Sequence, residues 1–290
     1  MTNGAIDFTI EGKVKDLGGF RVRRLLPVAK RRSVGPFVFL DHMGPATLAP
    51  GKGIDVRPHP HIGLATVTYL YEGSLMHRDS LGSVQLITPG DVNLMTAGRG
   101  IAHSERSAED TREEAEPIHG LQLWVALPTE KEEMAPEFLH VPKKDLPEIG
   151  GPGWTGRLVA GFLFGATSPV VTQSPLFFAD LRLEAGAELS FSPQYDEAAV
   201  QVTAGEIEID GETVSEGSLA ILNPGAFAVF TARTDAMVAV LGGEKLPEKH
   251  FMFWNFVSSR EERIEQAKED WRQQRFDKIP GETEFIPLPE

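Results

Sequence analysis

Two pairs of side chains spaced i, i+2 carry the chemistry open to this chain: His59 with His61, and His103 with Glu105. Pro58-His59-Pro60-His61 opens the stretch that holds them, and Gly100-Ile101-Ala102-His103-Ser104-Glu105 closes it. On a β-strand alternate side chains leave by the same face, so each pair aims two donors at one point. Three neutral imidazoles and one carboxylate suit Fe(II), Mn, Ni, Cu or Zn, and suit Mg or Ca poorly. No thiolate competes, because the sequence has no cysteine. Four protein ligands leave an octahedral metal two open positions, enough for a bidentate substrate or for substrate plus dioxygen. The plainer alternative makes His59 and His61 exposed loop residues and His103 a satisfied core histidine. One pair alone does not decide between these; two pairs flanking a strand-rich stretch favour the metal.

Two strands that each carry a pair, joined by a meander, position such a site inside a β-barrel. Thr66 to Tyr71 is β-branched and aromatic and ends at Glu72-Gly73; Val84 to Thr88 follows, and Pro89-Gly90-Asp91 turns the chain into Val92 to Thr96. Phe8 to Lys15, Phe20 to Leu26, Phe37 to Leu40 and Leu121 to Ala126 read as further strands. His77 and Asp79 are equally well read as partners that orient the ligands or as a wet loop. Gln122 either lines the pocket or bonds within the barrel, His42 reads as structural, and Arg99 in its Gly-Arg-Gly turn also reads as structural.

From Leu127 to Trp154 the chain turns Pro- and Gly-rich, which marks a connection between domains. Beyond Arg157 it is β-rich again, with Asp210-Gly211 a hairpin turn between Glu206 to Ile209 and Thr213-Val214. A repeat shows through. Counting from matched glycines sets Phe230 and Ala232 at the places of His103 and Glu105, and Phe191 and Pro193 at those of His59 and His61. No histidine occurs between His140 and His250, so this half is not expected to hold the same metal. Ser259-Arg260-Glu261-Glu262 has the pattern of a capping box ahead of a helix whose Ile264, Ala267 and Trp271 share one face. Phe285 and Ile286 are the residues that can tie down the Pro-rich tail.

The chain has 290 residues, with 29 glycines and 21 prolines, which favours many turns and short strands over long helices. The absence of cysteine excludes disulfides and thiol catalysis. Met1-Thr2-Asn3-Gly4 lacks the features of a signal peptide, and no run approaches the roughly 18 apolar residues of a membrane span. A cytoplasmic protein without membrane association is therefore expected. A net charge of −14 argues against direct nucleic-acid binding. The local cluster Arg21, Arg23, Arg24, Lys30, Arg31 and Arg32 reads mainly as a solvated face, as do the acidic runs Glu109 to Glu116 and Glu130 to Glu137.

His59-Pro60-His61-Ile62-Gly63, Thr66-Val67-Thr68-Tyr69, Glu72-Gly73, His77-Arg78-Asp79-Ser80, Pro89-Gly90-Asp91-Val92 and Met95 through Glu105 resemble the pirin signature of the cupin superfamily. Gly53, five residues, then His59-Pro60-His61 matches the opening of the general cupin motif, although Ala65 and Thr66 stand where that motif wants a glutamate. In the pirin pattern Glu105 supplies the carboxylate instead. The likeness extends through Gly35 to Asp41, Gly120 to Val125 and Phe253 to Ser259.

The resemblance implies an all-β bicupin, two stacked jelly-roll barrels with a short C-terminal helix. The expected division is 1–140 for the metal-bearing barrel, 141–156 for the linker, 157–258 for the barrel without ligands, and 259–290 for helix and tail. It also implies one Fe(II), held by His59, His61, His103 and Glu105, and a dioxygenase that cleaves flavonols such as quercetin. Glu105, the one carboxylate of that set, is then the candidate general base as well as a ligand. The partners are a flat aromatic substrate and dioxygen. The alternative function is a redox-dependent regulatory binder whose partner is a transcription factor or a metabolic enzyme, to which the Arg21–Arg32 cluster lends itself.

Overall fold

The computed structural model describes residues 4–17, 20–108 and 112–290. The first three residues of the N-terminus and 109–111 of the acidic run lie outside them. In chain order the strands are β1 (Ile6–Glu11), β2 (Lys13–Asp16), β3 (Arg21–Leu26), β4 (Phe37–Leu48), β5 (Asp55–His61), β6 (Leu64–Glu72), β7 (Leu75–Asp79), β8 (Val84–Ile87), β9 (Val92–Thr96), β10 (Ile101–Arg106), β11 (Glu116–Ala126) and β12 (Glu137–Val141). They continue as β13 (Glu148–Gly151), β14 (Trp154–Leu163), β15 (Ala166–Thr167), β16 (Leu176–Leu183), β17 (Glu188–Phe191), β18 (Glu197–Ala204) and β19 (Glu206–Ile209). The last are β20 (Glu212–Ser215), β21 (Ser218–Leu222), β22 (Ala228–Ala232), β23 (Ala236–Gly243), β24 (Phe251–Phe253) and β25 (Phe256–Ser258), before helix α1 (Glu261–Arg272).

The fold is all-β, and the chain forms two compact units. One comprises Lys15–Val22, Met43–Lys143 and Pro247–Glu290; the other comprises Met1–Val14, Arg23–His42 and Lys144–Leu246. These units are discontinuous, unlike the expected division into consecutive segments. β1 pairs with β21, Phe8 opposite Ile221 and Thr9 opposite Ala220, so the N-terminus completes a sheet of the later unit. The expected 141–156 linker is itself ordered. β12, which ends at Val141, pairs with β9, and β13 pairs with β14. Pro142, Pro147 and Pro152 fall between these short strands rather than in an open connection. In the basic cluster Arg21, Arg23, Lys30 and Arg32 are exposed, as a solvated face requires, and Arg24 and Arg31 are half-buried. Arg24 makes a bidentate pair with Asp41 at 2.8 Å, Arg31 pairs with Glu197 at 3.2 Å, and Lys30 lies over the Phe8 ring.

In the histidine-bearing unit one sheet runs β5-β10-β7-β8 and the other contains β12-β9-β6-β11, continuing through 43–48 of β4. Strict alternation sorts the side chains. On β7 Leu75, His77 and Asp79 are buried while Met76 and Arg78 are half-buried. Leu70, Leu75, Ile87, Ile118, Met43, Leu48 and Ile54 form one apolar cluster of this unit. Ile62 and Ala102, neighbours of His61 and His103 in the chain, join Phe256 and the Ile264, Ala267 and Trp271 face of α1 in another. Burying each large apolar side chain there contributes about 1.5–3 kcal/mol, so α1 braces the back of the strands that carry the histidines.

The expected capping box does not form. Arg260 is the N-cap residue and makes no side-chain cap bond. Ser259 Oγ instead donates to Glu132 at 3.1 Å, and Glu132 also accepts from Ser259 N–H at 2.6 Å and Ser258 Oγ at 2.9 Å. A buried carboxylate outcompetes the helix end for that hydroxyl.

Gly63, between β5 and β6, has φ +65°, and a Cβ there would overlap the Val257 carbonyl oxygen. Gly63→Ala is expected to cost roughly 2–4 kcal/mol, combining a left-handed backbone with overpacking. Urea unfolding reads this directly; an unshifted midpoint would contradict the close approach of β25.

The other unit holds the sheet β1-β21-β18-β23-β16-β14-β13, with β15 on β14, and the sheet β17-β22-β19-β20. The repeat is visible in its register. Leu189 faces Phe230 across β17–β22 as His59 faces His103 across β5–β10, and Phe191 faces Ala228 as His61 faces Ile101. The counterparts of His59 and His61 are thus Leu189 and Phe191, two residues earlier than the glycine count gives, because the loop lengths differ. Phe230 and Ala232 stand at the places of His103 and Glu105, as counted. Leu189, Phe191, Phe230 and Ala232 are all buried in one apolar core.

Candidate metal centre

β5 and β10 pair antiparallel with His59 opposite His103, and the register shifts between His103 and Glu105. Such a bulge re-aims the side chains that follow it. His59, His61 and His103 are buried, at 7%, 1% and 1% exposure, and their donor atoms lie within 4.8 Å of one another. His61 Nε2 is 3.1 Å from His103 Nε2. Two imidazole nitrogens that far apart subtend roughly 95–100° at an ion holding each at ~2.0–2.1 Å, so this donor set fits a transition metal. Glu105, expected as the fourth member, is buried next to this group but is not within it.

Burial holds His59 down to about 4 from its ordinary 6.5, with the Arg57 carbonyl opposing and His77 adding repulsion. Burial and then the charges of neighbouring imidazoles hold His61 and His103 well below that value. All three are therefore neutral near pH 7, the form a metal requires. For a histidine lowered on folding, the unfolded chain takes up protons first. Stability is full above 6.5 and falls as pH drops through the window between 6.5 and 4 for His59. The metal-free protein is expected to lose about 3 kcal/mol over that window from His59 alone, with the other two adding in the same direction. Urea midpoints at pH 7 and pH 5 measure it; equal midpoints would contradict neutral buried imidazoles.

The three rings differ in what lies behind them. His59 Nδ1 donates to the Arg57 carbonyl at 2.9 Å. Among the described residues His61 Nδ1 has no hydrogen-bond partner, although the Asn255 backbone in the β24–β25 turn borders the ring. Trp124 meets His61 edge-on at 5.2 Å. His103 Nδ1 lies 3.4 Å from His77 Nδ1, and His77 Nε2 lies 2.9 Å from Asp79 Oδ2. His77 and Asp79 are thus buried beside these histidines rather than on a wet loop.

Glu105 Oε1 accepts from Thr68 Oγ1 at 3.0 Å, and Thr68 Oγ1 also lies 3.0 Å from Gln122 Oε1. One hydroxyl carries one proton, so Thr68 donates to one of these two oxygens at a time. Burial pushes the Glu105 carboxyl above its ordinary range, with His77 and Thr68 pulling the other way. Gln122, Thr68, Asn93 and His140 stand in register across β11, β6, β9 and β12. Gln122 is half-buried where Thr68 is fully buried, so the polar row opens towards solvent at Gln122.

Residues 19–125 match the Pirin family, and residues 178–277 match the pirin C-terminal cupin domain. The chain belongs to the pirin family. A pirin-like protein of Caulobacter vibrioides is 50% identical over 290 residues, covering 98% of this chain and all of its own. A Pseudomonas aeruginosa protein named "Putative quercetin 2,3-dioxygenase" is 42% identical over 259 residues, 88% of this chain and 80% of that one. The crystal structure of a quercetin 2,3-dioxygenase from Acinetobacter baumannii superposes with a TM-score of 0.91 at 34% identity, covering 98% of this chain and 95% of that one.

Around this pirin's site, several residues carry no signal that isolates them in the sequence. Thr68 is one of many strand threonines, and Phe138, stacked on His77 at 4.4 Å, lies in a segment that reads as linker. The tail is tied down through Ile286 N–H on the Pro58 carbonyl at 2.8 Å, as its apolar residues suggested. Glu282 was not among the expected contacts. It accepts from Ser104 at 2.8 Å and Arg106 at 2.9 Å, on the face of β10 opposite His103 and Glu105. Arg99 is structural: its carbonyl accepts from Arg263, and its N–H donates to Met134.

Proposed function

We propose that this pirin is a metal-dependent dioxygenase that opens the ring of flavonols such as quercetin, with iron as its metal. The observation that carries the proposal is the buried, neutral trio His59, His61 and His103 converging on one point beside a carboxyl of raised pKa. His59, His61 and His103 would hold the ion, with Glu105 as the fourth donor. When bound, the ion supplies Lewis acidity towards the substrate's oxygens and a route for electrons to dioxygen.

The chain's own residues do the rest. Glu105 accepts the flavonol hydroxyl proton at Oε2, the oxygen not engaged by Thr68. Burial raises its pKa in the metal-free protein, and as a fourth donor it serves as base only with its bond to the ion loosened. The Gln122–Thr68 pair orients that carboxyl and offers the substrate a polar edge. Trp124 and Phe138 give flat apolar surface for an aromatic ring and keep water away. The names of the quercetin dioxygenase relatives support this substrate class.

The competing function is a regulatory binder; the Mus musculus relative, 32% identical over 263 residues, is named simply Pirin, with no dioxygenase in its name. Disappearance of the flavonol absorbance band separates the two. Iron-reconstituted protein is expected to bleach quercetin catalytically, and chelator-treated protein is not. No bleaching of any of several flavonols, with iron and then Mn, Ni, Cu and Zn supplied, would favour the binder.

A further inference from the structure

His77 and Asp79 are buried against the trio without belonging to it. We propose that they are positioning residues, which hold His103 with its proton on Nδ1 so that Nε2 presents a bare lone pair to the metal. The inference rests on the metal site proposed above.

The proton count runs one way along the chain of contacts. Asp79 Oδ1 accepts the backbone N–H groups of Leu81 at 2.9 Å and Ser83 at 3.0 Å, which fixes the carboxylate. Its Oδ2 faces His77 Nε2 at 2.9 Å. A carboxylate only accepts, so His77 Nε2 carries a proton, and a ring with that one proton has a bare Nδ1. That atom lies 3.4 Å from His103 Nδ1, a long contact that a proton on His103 then makes attractive. His103 Nε2 is then the bare nitrogen, 3.1 Å from His61 Nε2. The Phe138 ring, stacked within 15° of His77, fixes the plane through which the contact passes. His59 reaches the same tautomer by a simpler route, through the Arg57 carbonyl.

The second unit supplies an independent observation. β19 pairs with β22 as β7 pairs with β10: Ile207 faces Ala232 where His77 faces Glu105, and Ile209 faces Phe230 where Asp79 faces His103. Both isoleucines are buried in the apolar core. Where the ligand positions are apolar, the positions of His77 and Asp79 are apolar too. A hairpin of the same register therefore stands without them. Their place in the first unit goes with the donor set, as the partners behind metal-bound histidines do.

Asp79→Asn separates this role from mere support. Asparagine keeps the shape, and its carbonyl oxygen still accepts from Leu81 and Ser83. Its amide N–H then faces His77 Nε2 and reverses every link, which moves the His103 proton to Nε2, the atom the metal needs. Affinity for Ni(II) and Zn(II), measured by chelator competition, is expected to fall roughly 10–100-fold in Asp79→Asn. Asp79→Ala, which disturbs the turn more but imposes no tautomer, is expected to lose less. A purely structural role gives the opposite order, and equal affinity in Asp79→Asn and wild type overturns the inference. Long-range proton–nitrogen NMR of the metal-free wild type needs no variant. A proton on His103 Nδ1 supports the inference, and one on Nε2 overturns it. Wild type that binds neither metal would defeat the metal site itself, and the tautomer measurement would still decide the positioning claim.

Discussion

Alanine at position 103 or 61 is expected to strip most of the metal from the protein while leaving it folded. Both side chains are buried donors of one cluster, and neither belongs to the apolar cores that stabilise the unit. A four-donor site worth about 10–16 kcal/mol would assign roughly 2.5–4 kcal/mol to each donor, so affinity is expected to drop about 10²–10³-fold per substitution. His61→Ala should remain as resistant to urea as metal-free wild type, since it deletes a ring that has lost its solvation. Phe191→Ala at the corresponding place in the other unit should do the reverse, with a cost of ~3–5 kcal/mol and no change in metal content. Metal quantification and unfolding curves on the same samples check both. Full occupancy in His103→Ala would remove the site assignment.

Glu105→Gln carries the second large effect. Glutamine keeps the shape and an oxygen for Thr68, but it cannot take a proton. If Glu105 is the base, turnover per bound metal is expected to fall about 10²–10⁴-fold, far more than metal content does. If it is a ligand only, activity should fall in proportion to metal. The engagement of Oε1 by Thr68, which leaves Oε2 to take a proton, favours the first outcome. Oxygen consumption divided by metal content, wild type against variant, distinguishes the two. An unchanged quotient excludes the base.

Much of this was legible in the sequence for a physical reason. His59, His61 and His103 obey the period of a strand, and a strand's period projects directly onto its faces. The same period made β9 and β19 readable, because Val92 to Thr96 and Glu206 to Ile209 are bounded by turn residues on both sides. What failed depended on partners distant in the chain. Nothing in Ile6 to Glu11 says that it pairs with β21, and nothing in Ser259 says that Glu132 will claim its hydroxyl. Pro142 and Pro147 signal chain breaks faithfully, yet the pieces that flank them, β12 and β13, are strands, since pairing rather than propensity makes a short strand. His77 and Asp79 were ambiguous for the same reason. Their i, i+2 spacing put them on one face of β7, but only the β7–β10 register shows that this face looks at His103 and Glu105.

The most direct measurement is the fate of labelled dioxygen. Iron-loaded protein turning over quercetin under ¹⁸O₂ is expected to give a ring-opened product with both labelled atoms, at a rate proportional to iron bound per chain. A product with no label, or turnover that is independent of bound iron, would contradict a dioxygenase centred on His59, His61 and His103.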